Sequence, residues 1–396
     1  METTAAFTGL RCTDCGEDFD AATVTHRCPD CGGILDPTYD LDAVALDPAI
    51  LESRPFDGLD RYAELLPFSA ESLVTMDEGT TPLVSAPELA EKLGVERLLI
   101  KDEGRNPTGS FKDRGAALAV TAALQHGAET VALPSAGNAG QAASAYAARA
   151  GLDSEVFVPS RATFDNKAMI NVHGGEMTVV GGGLSDAGAA FEDAIAEADW
   201  YSVATFETPY RHEGKKTMFY EIAEQCDWES PDHVVYPTGG GVGLVGMEKA
   251  ALELRGLGWL DDGPAFHAAQ STGCDPIVSA FEDGRAEHEP VEYPDTICGG
   301  IEVADPGASR LVLDAVRETD GAAVATPDDE ILAAAVEVAQ TAGIEMGATC
   351  GAAASGAIEL AERGVFGADE TVVLVNTATG NKESDILRSH LMSQGI

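Results

Sequence analysis

The chain has 396 residues, which is long enough for two or three domains. It carries 67 acidic and 24 basic residues, for a formal net charge of −43 at pH 7, and such a polyanion repels nucleic acids and anionic membrane surfaces. The acidic surface indicates adaptation to high salt, with a basic partner as the alternative explanation. We therefore expect a halophilic protein that loses structure at low salt.

The sequence also predicts a cytoplasmic protein. No stretch approaches the roughly 20 apolar residues that span a bilayer. The N-terminus lacks the positive region and apolar core of a secretion signal. Four cysteines that stand singly are expected to be reduced core residues: Cys226, Cys274, Cys298 and Cys350.

Residues 1–36 have the cysteine spacing of a small separate module, which residues 37–75 follow as a connecting arm. Two CxxC pairs stand twelve residues apart: Cys12, Cys15, Cys28 and Cys31. Each short turn points two sulfurs at one spot, so the pairs predict a closed, tetrahedral, structural zinc site. A rubredoxin-type iron centre and two disulfides are the alternatives.

From about residue 95 onwards, apolar runs alternate with amphipathic, alanine-rich segments, which predicts an α/β fold with mostly parallel sheets. Strands are predicted at 97–101, 130–133, 155–158, 177–180, 233–236, 265–269 and 371–375. Helices are predicted at about 112–126, 138–150, 184–198, 212–226, 241–255, 327–341 and 349–363. Ligands in such folds bind where loops leave the carboxyl ends of strands. Three candidate loops lie there: 134–138, 237–241 and 376–380.

Lys112 is the candidate reactive residue. It follows the turn sequence Pro107-Thr-Gly109, stands beside Phe111 and is expected to open a helix. Apolar surroundings lower the pKa of an amine and favour the neutral nucleophile that Schiff-base chemistry needs. The alternative is a surface lysine on a helix, which is the usual fate of a lysine.

Two loops at strand-to-helix junctions offer backbone donors to anions. Pro237-Thr-Gly-Gly-Gly-Val-Gly243 lets N–H groups close on a phosphate at a helix N-terminus, although it lacks the ending of a nucleotide P-loop. Ser135-Ala-Gly-Asn-Ala-Gly-Gln141 suits a carboxylate. Plain helix capping by Asn138 or Ser135 is the alternative there.

A basic patch occupies Tyr210-Arg-His-Glu-Gly-Lys-Lys-Thr217. Clustered cations in so acidic a chain favour an anionic group of a substrate as their partner. The alternative is a solvated helix start with local ion pairs to Glu207, Glu213 and Glu221.

Taken together, six segments resemble the threonine synthase family, which are pyridoxal-phosphate (PLP) enzymes of fold type II, the tryptophan-synthase β-like group. These segments are 78–83, 106–115, 135–141, 211–217, 238–243 and 377–382. Their order and spacing make the resemblance specific from about residue 75 to 385. A four-cysteine ribbon ahead of the PLP domains is similar to that of some archaeal members.

The resemblance implies how PLP would be held. Lys112 would form the Schiff base, Phe111 would lie near the ring and Asn138 would hydrogen-bond the phenolate oxygen. Thr377 would face the pyridine nitrogen. The phosphate would be bound by Thr238 and by the backbone amides of Gly239, Gly240, Gly241, Val242 and Gly243.

The resemblance also implies a substrate and a reaction. Residues expected to contact the substrate are Ser135, Ala136, Gly137, Arg211, Lys101 and Lys216. The loop around Ser135 would take the carboxylate; Arg211, with Lys101 or Lys216, would take the phosphate. The reaction would convert O-phospho-L-homoserine and water into L-threonine and phosphate, by γ-elimination and then β-addition of water.

Together with the cysteine spacing, the resemblance predicts that the chain has four parts. They are a zinc ribbon at 1–36, an arm at 37–75, a large PLP-binding domain at 76–112 and 212–396, and a small mobile α/β domain at 113–211. The small domain is expected to close on the substrate and control the access of water. Members of this fold are often dimeric, which makes a homodimer compatible with the family.

Some positions depart from the family pattern and leave the choice of substrate open: Ala139, Glu302, Ala378 and 347–351. Rivals on the same fold are a cysteate synthase that uses phosphoserine and sulfite, and a threonine dehydratase. The basic patch favours a phosphorylated substrate over threonine itself. A degenerate scaffold with a partner-binding ribbon is the non-enzyme alternative, and the intact cofactor set argues against it.

Overall fold

A computed structural model describes residues 1–160, 162–393 and 395. The chain divides into two compact units: Met1–Thr80 with Phe111–Tyr220, and Thr81–Ser110 with Glu221–Ile396. The predicted ribbon and arm thus belong to the first unit, while the predicted domain boundaries stay a prediction. Within the described residues, no helix is both long and apolar enough to cross a membrane.

Strands and helices alternate over most of the chain, as the sequence predicts. The strands are β1 (Phe7–Cys12), β2 (Asp18–Phe19), β3 (Leu35–Tyr39), β4 (Leu83–Ser85), β5 (Arg97–Asp102), β6 (Thr130–Pro134), β7 (Asp153–Pro159), β8 (Glu176–Val180), β9 (Tyr201–Ser202), β10 (His233–Pro237), β11 (Ala265–Ser271), β12 (Ala323–Thr326) and β13 (Thr371–Asn376). The helices are α1 (Pro48–Ser53), α2 (Pro87–Leu93), α3 (Lys112–Gln125), α4 (Asn138–Ala150), α5 (Phe164–Val172), α6 (Leu184–Ile195), α7 (Tyr210–Gln225), α8 (Val242–Gly256), α9 (Pro276–Glu282), α10 (Ser309–Glu318), α11 (Asp328–Ala342), α12 (Ala348–Glu362) and α13 (Ser384–Ser393).

The first unit contains an antiparallel sheet in the order β2-β1-β3 and a parallel sheet in the order β8-β7-β6-β9. In the antiparallel sheet Cys12 of β1 pairs with Leu35 of β3. Helices α3 and α4 pack against each other through a core that is rich in alanine. Small side chains let the backbones of packed helices approach each other closely.

The second unit contains a six-stranded sheet in the order β12-β11-β10-β13-β5-β4. Its neighbouring strands run parallel, apart from the antiparallel pair of β4 and β5. Strand β10 is buried along its whole length, as is typical of a parallel sheet covered on both faces. Because β10 and β13 are parallel neighbours, the loops that follow them leave the same edge of the sheet.

Candidate active site

Lys112 is the first residue of α3, and its side chain is partly exposed. It lines a pocket of the first unit together with Arg211 and small or apolar residues: Ala116, Ala119, Val120, Leu133, Ala139, Ala143 and Val203. Burial, and then the charge of Arg211, lower the pKa of Lys112 to about 7. Much of the amine is therefore neutral near pH 7, as a nucleophile or a base must be.

Arg211 lies in the first turn of α7 and is buried. Its Nη1 donates to the carbonyl oxygen of Val203 at 2.9 Å. Within the described part of the chain, no carboxylate pairs with this guanidinium. Burial lowers the pKa of Arg211 to about 10, so the group stays charged at neutral pH. A buried cation of this kind is suited to an anionic group of a ligand.

The rest of the basic patch is buried too, so the solvated part of the alternative is wrong, while its local ion pair to Glu213 is present. The ammonium of Lys215 donates to the carbonyl oxygen of Lys112 at 3.3 Å and lies 4.9 Å from the centre of the Phe111 ring. The ammonium of Lys216 pairs with Glu213 at 2.5 Å and donates to the carbonyl oxygen of Leu65 at 2.9 Å.

Lys101 lies in β5 of the second unit and is fully buried. Its ammonium donates to the carboxylate of Glu221 at 2.7 Å, the carbonyl oxygen of Thr81 at 2.8 Å and the side-chain oxygen of Gln225 at 2.8 Å. Three acceptors match its three N–H donors. The substrate roles predicted for Lys101 and Lys216 stay predictions, and both ammonium groups are already paired with carboxylates.

The loop at 135–137 connects β6 to α4. The Ser135 hydroxyl accepts hydrogen bonds from the N–H groups of Gly137 at 3.1 Å and Gly140 at 2.8 Å, which confirms helix capping as one of its roles. The side-chain nitrogen of Asn166 in α5 donates to the carbonyl oxygen of Ala136 at 3.3 Å. Asn166 thus fixes the loop, although no motif in the sequence points to it.

Asn138 is the first residue of α4. Its side-chain oxygen is buried and has no hydrogen-bond partner among the residues that the structure describes. Leaving such a group unpaired costs about 1–3 kcal/mol, so a polar ligand group is expected to bind there.

The glycine loop, residues 237–243, leads from the end of β10 into the first turn of α8 in the second unit. Gly241 has φ +74°, which favours glycine over other residues. A Cβ on Gly239 would lie 3.0 Å from Val303, and one on Gly243 would lie 2.4 Å from the Tyr236 hydroxyl. The Thr238 N–H donates to the carbonyl oxygen of Ala269 at 2.7 Å. This bare backbone at the start of a long helix is suited to bind a phosphate.

Thr377 follows β13 and is buried. Its hydroxyl lies 3.3 Å from the thiol of Cys350, in the first turn of α12. Burial raises the pKa of Cys350 to about 11, so this thiol is protonated at neutral pH. The pair therefore offers a ligand an uncharged hydroxyl and no anion.

The four N-terminal cysteines come together in the first unit, with their sulfurs within 4.8 Å of one another. The sulfurs of Cys12 and Cys31 are 3.5 Å apart, and those of Cys15 and Cys28 are 3.8 Å apart. These distances exceed the roughly 2.05 Å of a disulfide bond, which argues against the disulfide alternative. They match the sulfur spacing of about 3.8 Å that tetrahedral Zn–S bonds of about 2.3 Å produce.

Solved structures share the fold of the chain. Diaminopropionate ammonia lyase from Escherichia coli matches with a TM-score of 0.69 at 18% identity, over 81% of this chain and 89% of that one. The processed form of threonine deaminase isoform 2 from Solanum lycopersicum matches with a TM-score of 0.67 at 20% identity, over 78% of this chain and 87% of that one. These likenesses establish an α/β fold of the fold-type II kind.

Sequence relatives extend over most of the chain. The family model described as pyridoxal-phosphate dependent enzyme matches residues 74–378. Threonine synthase from Methanosarcina acetivorans is 37% identical, over 93% of this chain and 90% of that protein. Threonine synthase from Methanocaldococcus jannaschii is 33% identical, over 95% and 93%. The chain therefore belongs to the pyridoxal-phosphate-dependent enzyme family and, within it, to the threonine synthases.

Proposed function

We propose that the chain converts O-phospho-L-homoserine and water into L-threonine and phosphate. The observation that carries this proposal is the pocket of the first unit, which the amine of Lys112 and the guanidinium of Arg211 line together. The amine suits the chemistry at the amino-acid end of a substrate, and the guanidinium suits its phosphate. Threonine has no phosphate, so Arg211 favours a phosphorylated substrate over the dehydratase alternative.

Residues of the first unit fit PLP. The neutral amine of Lys112 suits attachment of the cofactor, and the Phe111 ring lies 4.5 Å from that amine. The side-chain nitrogen of Asn138 would donate to the oxygen substituent of the ring, while its unpaired oxygen is left to accept from a donor group of the ligand. When bound, PLP would supply an electron sink for the negative charge that develops at the α carbon of the substrate.

Residues of the second unit fit the remaining polar groups of PLP. In the glycine loop, side chains at Gly239 and Gly243 would crowd Val303 and Tyr236, so bare backbone amides are left to approach a phosphate. We assign the cofactor phosphate to these amides and to Thr238. The hydroxyl of Thr377, beside a protonated thiol, suits a ring nitrogen that carries no proton.

Lys112 and Arg211 would divide the chemistry between them. The Lys112 amine would take the proton from the α carbon, because its lowered pKa leaves a neutral base near pH 7. A second proton would leave Cβ, and its electron pair would form the second Cβ–Cγ bond while the Cγ–O bond breaks and its own pair leaves with the phosphate oxygen that Arg211 holds. Cγ would then regain a proton. A water molecule then adds its oxygen at Cβ, and the apolar pocket wall limits the access of other water.

The test is a phosphate-release assay in high salt with O-phosphohomoserine, and with phosphoserine plus sulfite, side by side. Threonine and phosphate are expected from phosphohomoserine. Release from phosphoserine alone would support the cysteate synthase alternative and sink our proposal. Lys112→Ala should abolish turnover, while Lys92→Ala, at an exposed ion pair with Glu337, should retain it.

We also propose that the cysteine module holds one structural zinc ion. The support is the closed set of four sulfurs at tetrahedral spacing, which leaves no position open for water or substrate. Metal analysis distinguishes zinc from the iron alternative. About one zinc per chain is expected.

We further propose that the protein works in a salt-rich cytoplasm. The net charge of −43 supports the high-salt part. The location is supported by four buried cysteines, which are unpaired in the described structure: Cys226, Cys274, Cys298 and Cys350. Thiol titration of protein purified without reductant tests the location, since disulfides among these four would contradict it.

A further inference from the structure

Helix α7 presents two faces to two different parts of the first unit. One face carries Arg211 and, one turn later, Lys215, which lie against the pocket and first turn of α3. The other face carries His212, Glu213 and Lys216, which contact strand β3 where the ribbon joins the arm. Successive residues of a helix are 100° apart, so neighbours such as Arg211 and Glu213 point in nearly opposite directions.

The contacts between α7 and β3 are polar, with buried side chains on α7 and partly buried ones on β3. His212 Nε2 lies 2.9 Å from the carboxylate of Asp36. The Tyr39 hydroxyl donates to Glu213 at 2.5 Å, and the ammonium of Lys216, 2.5 Å from the same carboxylate, lies 4.1 Å from the centre of the Tyr39 ring. The side chains of Glu213 and Lys216 are fully buried. Hydrogen bonds of charged groups away from water are strong and directional, so they fix the position of α7 relative to β3.

A second group of contacts ties the ribbon to the guanidinium itself. His26 stands between the two cysteine pairs, and its Nε2 lies 3.0 Å from the carbonyl oxygen of Ser202. The next carbonyl, that of Val203, accepts the hydrogen bond from Arg211 Nη1. Arg27 pairs with Glu207 at 2.9 Å in the same loop. The ribbon thus holds both the helix that carries Arg211 and the strand end that orients its side chain.

The cysteine site is connected directly to these contacts. Strand β3 pairs with β1 such that Cys12 stands opposite Leu35, and Arg11 opposite Asp36. Tyr39 at the end of β3 pairs with Phe7 at the start of β1. The strand that carries Cys12 is therefore hydrogen-bonded to the strand that contacts α7.

We propose that Asp36 and His26 of the ribbon, together with Tyr39 at the arm end of β3, are positioning residues for Arg211. They set how the guanidinium faces the Lys112 pocket, so the ribbon tunes the binding of the phosphate group of the substrate. This inference rests on the proposed function, because that proposal assigns Arg211 to the substrate phosphate.

A second metal site is the other use that this region suggests. Ligand atoms of Asp36, His212 and Glu213 lie within 4.8 Å of one another. The ammonium of Lys216 already pairs with Glu213, so a cation placed there would face a buried positive charge. The cluster therefore serves as a polar contact between ribbon and helix.

The experiment uses the holoenzyme with three variants. Tyr39→Phe removes one hydroxyl and keeps the ring against Lys216. The double variant Asp36→Asn/Tyr39→Phe weakens both contacts with α7. The matched control Asp18→Asn makes the same chemical change in the same ribbon, at the exposed Arg11–Asp18 ion pair. For each protein we would measure zinc content, the visible absorbance of PLP, kcat and KM for phosphohomoserine, and the affinity for inorganic phosphate by calorimetry.

A positioning role predicts a split between these measurements. The double variant should raise KM and the phosphate dissociation constant roughly tenfold, and Tyr39→Phe by less, with kcat within about twofold. Zinc content and PLP absorbance should stay those of the parent, and Asp18→Asn should match the parent throughout. Unchanged phosphate affinity in both Tyr39→Phe and the double variant, with zinc retained, would overturn the inference. A fall in kcat and PLP content without a change in phosphate affinity would overturn it as well, because that pattern reports general damage.

Calorimetry separates this inference from the proposed function. If the parent protein fails to turn over phosphohomoserine, the proposed reaction is wrong, while phosphate binding that is lost in Arg211→Met still reports the Arg211 site. The ribbon variants then test positioning through phosphate affinity alone. If the parent turns over phosphohomoserine and the ribbon variants keep its affinity, the inference fails and the proposed function stands.

Discussion

A Cβ on Gly115 would lie 2.6 Å from the carbonyl oxygen of Arg211, so α3 and α7 approach more closely than any side chain at Gly115 permits. A Cβ on Gly214 would likewise collide with the carbonyl group of Arg114. This crossing through two glycines brings the start of α7 beside the start of α3. It is the reason that Arg211 and Lys112 line the same pocket.

Gly115→Ala should separate the two helices and weaken the site. Overpacking a close contact costs typically about 1–3 kcal/mol, and the displaced Arg211 should also raise KM for the phosphorylated substrate. The matched control is Gly188→Ala in α6, where a Cβ meets nothing within 4 Å. That change should be neutral or stabilising by up to about 1 kcal/mol, because alanine is the better helix former. Urea unfolding at fixed high salt, with KM for each variant, checks both; equal stability of the two variants would contradict the close crossing.

The lowered pKa of Lys112 predicts how its amine reacts with pH. In protein stripped of PLP, reductive labelling of Lys112 by a small aldehyde should rise with pH through an inflection near its pKa of about 7, because only the neutral amine attacks. Arg211→Met removes a neighbouring positive charge and should move the inflection to higher pH. Peptide mass spectrometry at each pH measures the labelled fraction.

Lys92 provides the reference in the same labelling experiment. Its side chain is 45% exposed and pairs with Glu337, which lies with it in the second unit. It should label much more slowly than Lys112 at pH 7, and Arg211→Met should leave its rate unchanged. Equal labelling of both lysines at neutral pH would mean that the environment of Lys112 does not favour its neutral form.

The sequence is sufficient to predict the elements that form the frame of the fold. Strands such as β10 and β13 are continuous apolar runs because both faces of a parallel sheet are covered, and such runs are visible locally. The glycine loop and the Lys112 turn are recognisable for the same reason, since their residues are adjacent in the chain. Strand β9 has two residues and gives no periodic signal.

Side-chain contacts between residues far apart in the chain could not be predicted from the sequence. Lys101 looks like a free cation in the sequence, but its ammonium pairs with Glu221, a residue 120 positions away. The bond from Tyr39 to Glu213 spans 174 positions, and neither residue belongs to a motif that involves the other. Asn166 is equally invisible, because an isolated asparagine in a helix carries no signal of the loop that it fixes.

Loss of the metal should affect the ribbon first. Cys28→Ser removes one of four thiolates from a segment with a very small core of its own, so zinc content should fall well below one per chain. Protease cleavage within residues 1–36 should then become faster. The matched control is Cys226→Ser, a buried cysteine outside the cluster, which should keep the zinc. Full zinc content in Cys28→Ser would contradict a four-sulfur site.

A hydrogen-bonded pair of histidines in the second unit predicts an acid-sensitive contribution to stability. His267 Nδ1 accepts from the Ala322 N–H at 3.0 Å, so its Nε2 carries the proton and donates to His233 Nδ1 at 3.0 Å. His233 Nε2 in turn lies 2.8 Å from Glu370. Burial, and then His233, lower the pKa of His267 to about 3. The folded state thus holds His267 neutral at a pH where the unfolded chain takes up a proton.

The sign of the effect follows from proton linkage. Below the ordinary histidine pKa of about 6.5 the unfolded state binds more protons, so stability falls as the pH drops from about 6.5 towards about 3. The full loss is at most about 5 kcal/mol. His267→Gln should give a lower plateau at pH 7 and a flatter decline below pH 6.5. Urea unfolding between pH 5 and pH 8 in constant salt measures the slopes, and parallel slopes would show that His267 does not contribute to this decline.

The net charge of −43 predicts that salt stabilises the fold. Self-repulsion between acidic side chains opposes the compact state, and the screening length falls from about 10 Å at 0.1 M salt to about 3 Å at 1 M. The urea midpoint should therefore rise with KCl, while an uncharged osmolyte without this screening should not reproduce the steep rise at low concentration.

Asp261→Asn/Asp262→Asn removes two exposed charges and should raise stability mainly at low salt. If the double variant gains equally at 0.2 M and 2 M KCl, its effect comes from local structure. If the parent shows no response to KCl, charge repulsion does not limit its stability, and the acidic surface then fits a basic partner better than a salt-rich cytoplasm.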